Sequence, residues 1–141
     1  MFDFLDKAIK ETKSRRGVVL HSDMIKMRNL IDSKENIINK IFSESEIKSL
    51  FLPTFSYYAY NIKKKKTFNI NNEAFLLGSL PNYAIKNKIG FRTLNPIHSY
   101  VCVGEFSKKI FNIRNDRSFG KKSIFEYFCN EELLWCSLGC N

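Results

Sequence analysis

The sequence predicts an α/β fold with a parallel or mixed central sheet, and three observations carry that expectation. Val18-Val19-Leu20 and Leu50-Phe51-Leu52 are short, all-apolar runs of the kind covered on both faces. Between them, Ser33 to Phe42 puts Ile37, Ile38 and Ile41 on one helical face behind a serine cap, which gives strand–helix–strand. At 141 residues and 44% hydrophobic, the chain reads as a single domain over residues 1–141, large enough to bury a core.

The remaining elements follow from local pattern. Phe2, Leu5, Ala8 and Ile9 have helical spacing, so residues 3–15 read as an amphipathic helix ended by Gly17. Pro53 stops the second strand, and Thr54-Phe55-Ser56-Tyr57-Tyr58 displays hydroxyls and aromatic rings just beyond it. Gly78 to Asn87 reads as a short helix, and Tyr100 to Val103 as a buried strand. Phe106, Ile110 and Phe111 suggest a further amphipathic helix. Ser123, with Glu126 three residues on, starts another that runs through Phe128. Leu133 to Leu138 is the last strand.

Composition narrows the classes. No apolar run approaches the ~20 residues that span a bilayer, and the N-terminus lacks a signal peptide's pattern, so the expectation is a cytoplasmic protein without a membrane partner. Cys102, Cys129, Cys136 and Cys140 lack paired CxxC spacing; they are expected to be reduced, buried, small hydrophobes, with no metal. The net charge of +9 admits a polyanionic partner. Nucleic acid is not expected, because aromatics are not interleaved with the lysines as stacking platforms require. The run Lys63 to Lys66 reads either as a solvated loop or as a flap that attracts phosphate.

The chemistry concentrates in Gly90 to Gly104. Pro96 shapes a loop that carries Arg92, Thr93, His98 and Ser99 to the mouth of a strand, where α/β proteins build sites. The two histidines, His21 and His98, both fall at strand ends, and each is readable as a structural hydrogen-bonder or as a general base. Ser22 and Ser99 lie outside any G-x-S-x-G elbow and read as hydrogen-bonding groups rather than nucleophiles. Arg92 reads as an anion partner or as a pin for the loop. Tyr57 is the candidate for substrate contact past the second strand.

Six blocks, in order, resemble the aminoglycoside 3-N-acetyltransferase (antibiotic N-acetyltransferase) family. They are Val18-Val19-Leu20-His21-Ser22, Leu52-Pro53-Thr54-Phe55-Ser56, Gly78-Ser79-Leu80-Pro81, Arg92 to Ser99, Ser118 to Ser123, and Ser137-Leu138-Gly139. The fourth is similar to the family's Arg-Ser-x-His-Pro-x-His-Ser signature, with Asn95 in place of its first histidine. The resemblance implies a three-layer α/β/α sandwich, incomplete at the C-terminus, that transfers acetyl from acetyl-coenzyme A to an amino group of an aminoglycoside or related amino sugar. It implies His98 as catalytic, and Ser22, Ser99, Phe119 and Gly120 as cofactor-binding. Family members continue beyond the Leu-Gly block into a histidine-containing segment that supplies the base. The alternative is therefore a truncated, non-catalytic remnant that keeps a binding cleft. A basic chain meeting a cationic aminoglycoside is a mismatch, which turns the expectation toward a less cationic amino sugar, such as a surface-polysaccharide precursor.

Overall fold

The computed structural model describes residue 10 and residues 17–26, 33–44, 47–57, 68–72, 77–106 and 108–139. The expected N-terminal helix (apart from Lys10, which is helical), the run Lys63 to Lys66 and Cys140 lie outside them. Among the described residues, five strands form one sheet: β1 (Gly17–Ser22), β2 (Ser49–Pro53), β3 (Phe91–Arg92), β4 (Tyr100–Gly104) and β5 (Leu134–Leu138), in the order β3-β4-β2-β1-β5. Helix α1 (Lys34–Glu44) joins β1 to β2, α2 (Ser79–Lys86) precedes β3, and α3 (Ile124–Asn130) precedes β5. The architecture is α/β, around a mixed open sheet.

Pairing follows the connections. A helical crossover makes β1 and β2 parallel, with Val18 opposite Leu50. β5 is parallel to β1, with Trp135 opposite Val19 and Ser137 opposite His21. β4 runs antiparallel to β2, so Tyr100 faces Pro53 and the loop before β4 returns to the carboxyl end of β2. Four loops therefore meet at one edge of the sheet. Backbone bonds tie them: Asp23 N–H donates to Leu138 C=O, Thr54 N–H to Ser99 C=O, and Ser56 N–H to Ile97 C=O.

Strand alternation divides the core. Val18, Leu20, Leu50, Leu52 and Val101 join Ile37, Ile38 and Ile41 of α1 and Leu80 and Ala84 of α2. Val19, Phe51, Tyr100 and Cys102 join Ile110 with Ile124, Tyr127 and Phe128 of α3. Phe51 is the centre of the second cluster. It is fully buried, with Phe128, Phe106 and Tyr127 at ring-centroid distances of 4.9, 5.6 and 6.0 Å.

Caps and turns set the boundaries. Ser33 Oγ accepts from Asn36 N–H at the start of α1, as the serine predicts. Ser123 Oγ accepts from Glu126 N–H at the start of α3, but Glu126 reaches Lys122 N–H rather than closing the box on Ser123. Between α2 and β3 the chain turns at Gly90, with φ +72; a Cβ there would lie 2.0 Å from Cys102 C=O. Two expectations are corrected. Lys108–Asn112 is a 3-10 turn rather than an amphipathic α-helix, because the stretch between β4 and the polar turn at Asn115 and Asp116 buries only Ile110 and offers no continuous apolar face. Cys129 is exposed rather than buried, since it lies on the outer face of α3, while Cys102 is buried and Cys136 half-buried.

Replacing Phe51 with alanine opens a cavity among three aromatic rings and costs about 3–5 kcal/mol of stability. Urea denaturation checks this. A loss below about 1 kcal/mol would show that the second cluster does not hold the sheet.

Candidate active site at the carboxyl edge of the sheet

The loops gathered at this edge are organised by one buried cation. Arg92 is 6% exposed. Its Nε donates to Thr54 Oγ1 and Ser99 Oγ, both at 3.1 Å. Nη1 donates to the carbonyls of Ile70 (3.0 Å) and Asn72 (2.7 Å). Nη2 donates to Thr54 C=O and to Ser56 Oγ (2.8 Å), and the Phe68 ring lies 5.1 Å from the guanidinium carbon. Of the two readings of Arg92, the pin describes its position.

Ser99 belongs to the same network. It is fully buried, and its hydroxyl donates to Thr54 C=O at 2.6 Å. A group expected to meet a ligand instead holds the loop from inside.

His98, the next residue back, points the other way. It is half-buried, with Nδ1 2.7 Å from Ser118 Oγ, and its Nε2 has no hydrogen-bond partner among the described residues. Its backbone N–H donates to Asn95 Oδ1 (2.7 Å), while Asn95 Nδ2 donates to the carbonyls of Asn115 and Arg117. Asn95 thus clips the histidine loop to the loop that carries Ser118. Four rings surround the imidazole: Phe55 at 4.9 Å, Phe119 at 5.5 Å, Phe125 at 5.7 Å and Tyr57 at 6.2 Å. Of the residues expected at the site, His98, Tyr57 and Phe119 come together. Gly120 follows Phe119 on an exposed turn, with φ +85 and open space around its Cα.

A second imidazole approaches through a stack that the sequence did not reveal. Phe119, Phe125, Trp135 and His21 form a row of rings spaced 4.8, 6.1 and 5.9 Å, with interplanar angles of 16°, 2° and 23°. Tyr57 (54%), Phe119 (65%) and Trp135 (49%) remain exposed along it. Only the pairing of β5 with β1 brings Trp135 to His21, and strand spacing alone does not contain that pairing. Beneath the shelf, the Tyr100 hydroxyl is buried without a hydrogen-bond partner. Burial first, and the neighbouring Tyr57 second, push its ionisation upward, so it stays a neutral O–H.

On the other side of the same edge, Ser22 Oγ is also buried without a partner. Gly78 adjoins it: a Cβ on Gly78 would lie 3.2 Å from Ser22 C=O, and φ is +90. The helix that starts there has no side-chain cap, so its first N–H groups lack that partner. A hollow of ≈ 420 Å³ among Lys48, Glu105, Phe106 and Glu131 opens at the opposite edge of the sheet and includes no imidazole or thiol. The histidine shelf is instead an open wall. Among the described residues, no group of three His, Cys, Asp or Glu side chains could hold a metal ion, and no helix is long and apolar enough to cross a membrane.

No family model matches the chain, and no curated protein sequence matches it. Among solved structures it is similar to the crystal structure of the YokD protein from Bacillus subtilis, at 15% identity and a TM-score of 0.60. The match covers 84% of this chain and 58% of that one, so the chain spans little more than half the length of its neighbour. At that identity the likeness is one of fold.

Burial lowers the pKa of both His98 and His21 below the ordinary value of 6.5. Between the folded and unfolded pKa values, the unfolded chain binds more protons. Their contribution to stability is therefore full above about pH 6.5 and is lost as pH falls through the folded values. The melting temperature should drop between about pH 7 and pH 5, and less steeply in His98→Gln. Histidine NMR titrations at or above the ordinary value would contradict this.

Proposed function

We propose that this edge is the cleft of an acetyl-coenzyme A-dependent N-acetyltransferase acting on an amino group of an aminoglycoside or related amino sugar. The observation that carries the reading is the His98 imidazole, fixed by Ser118 through Nδ1, with Nε2 unpartnered among the described residues and burial keeping it neutral near pH 7. The resemblance of Arg92 to Ser99 to the acetyltransferase signature adds to it. In this reading the two core clusters are the inner faces of a three-layer α/β/α sandwich, and the protein is cytoplasmic with reduced cysteines.

The residues suit such a co-substrate. Ser22 Oγ is a buried hydroxyl without a hydrogen-bond partner, and the N–H groups of Ser79 and Leu80 open α2 without a side-chain cap. Acetyl-coenzyme A, when bound, supplies an activated thioester. Ser22, the first N–H groups of α2 and the exposed turn at Phe119-Gly120 would hold it. With Nδ1–H donating to Ser118, Nε2 of His98 is the proton acceptor that this chain itself offers the attacking amine, the role the resemblance gives to a histidine segment beyond the Leu-Gly block. Tyr57 and Phe119 offer ring faces to the sugar beside that nitrogen. Ser99 keeps the His98 backbone in place. The basic surface favours a polyanionic co-substrate and a weakly cationic acceptor, such as a surface-polysaccharide precursor, over a polycationic aminoglycoside.

Calorimetry with coenzyme A, followed by an acetylation assay on amino sugars, tests the reading. Millimolar or tighter binding is expected, and His98→Ala should lower any transfer about 100-fold or more while leaving coenzyme A affinity within about threefold. Binding without transfer by the unmodified chain would assign it the non-catalytic alternative. Absence of binding would overturn both.

A further inference from the structure

We propose that Arg92 is a positioning residue for the His98 shelf, setting the imidazole's surroundings by fixing two strips of backbone rather than by touching a ligand. The inference rests on the acetyltransferase reading for its consequence, though not for its geometry.

A single guanidinium bonds three stretches that are distant in sequence: Thr54 to Ser56, Ile70 to Asn72, and Ser99. Two of these stretches border His98. Ser99 is its chain neighbour. Thr54 and Ser56 alternate with Phe55 and Tyr57, whose rings pack on the imidazole at 4.9 and 6.2 Å. Inward-facing hydroxyls and outward-facing rings thus alternate along one strip, and the guanidinium fixes the inward set. Thr54 N–H to Ser99 C=O and Ser56 N–H to Ile97 C=O then lock this strip to the histidine loop.

The planar fork is what the site requires. Nε reaches two hydroxyls on one side, while Nη1 and Nη2 reach carbonyls and a third hydroxyl on the others. A lysine ammonium keeps the charge but has three donors at one point and cannot span these acceptors. Thr54 Oγ1 also donates to Ser99 Oγ at 3.1 Å, so the two hydroxyls are cross-linked even before the arginine is added. The effect of losing the fork should therefore be greatest at Ser56 and Tyr57, which that cross-link does not hold.

The test uses the full chain with Arg92→Lys and, as a milder variant, Ser56→Ala, which removes one acceptor and leaves Arg92 in place. The readouts are the ring-proton NMR shifts of His98 and their cross-peaks to Phe55 and Tyr57, with His21 as the internal reference. The expected result is loss of the His98–Tyr57 cross-peak and movement of the His98 ring signals in both variants, with His21 unchanged and the fold intact by circular dichroism. Should Arg92→Lys fail to fold, Ser56→Ala alone decides. Where the unmodified chain transfers acetyl, kcat should fall about 100-fold in Arg92→Lys, with KM little changed. Unmoved His98 signals in a folded variant would overturn the proposal, even if coenzyme A binds normally. Moved signals in a chain that never binds coenzyme A would keep the positioning role and overturn the acetyltransferase reading.

Discussion

The buried guanidinium of Arg92 is the constraint on which the carboxyl edge depends. Removing an unpaired cation from water costs several kcal/mol, so a sequence that buries one must surround it with acceptors. This chain does so with three hydroxyls and three carbonyls from separated segments. The requirement explains why Thr54, Ser56 and Ser99 are buried despite being polar, whereas the buried Thr93 hydroxyl accepts from Tyr100 N–H. It also explains why the strips that carry Phe55, Tyr57 and His98 have one arrangement relative to one another.

Around that pin, the topology accounts for where chemistry can occur. Parallel β1 and β2, joined by α1, release their loops at one edge, and antiparallel β4 brings the His98 loop back to it. Asn95 supplies a second anchor, from outside, through the Asn115 and Arg117 carbonyls. His98 is therefore held from both sides while one ring nitrogen stays open. The parallel row from Phe119 to His21 extends the shelf with exposed ring faces, an arrangement suited to ring-shaped ligands more than to an extended charged chain.

Much of the fold was legible because local physics determines it. All-apolar triplets became β1 and β2, and serine caps opened α1 and α3 where expected. What pattern could not supply was non-local. Nothing in Leu133 to Leu138 says that it pairs with β1, and without that pairing Trp135 is an exposed aromatic rather than a neighbour of His21. The two-residue strand β3 was too short to leave a periodic signal. The site was half legible. His98, Tyr57 and Phe119 were named from the sequence and do meet, and the pin was one of the two readings of Arg92, but Ser99 faces inward, because a short polar residue beside a strand carries no mark of which side it will face. Asn95, noted only as a departure from a signature, turned out to be a clip.

The acetyltransferase reading requires ligands to bind at this edge rather than elsewhere on the sheet. Backbone amide NMR during titration with coenzyme A and then an amino sugar tests it directly. Shifted amides are expected to cluster at residues 21–23, 54–57, 78–80, 97–99 and 118–120, with Lys48, Glu105 and Glu131 at the opposite hollow unaffected. Shifts confined to that hollow, or spread evenly over the lysines, would contradict it.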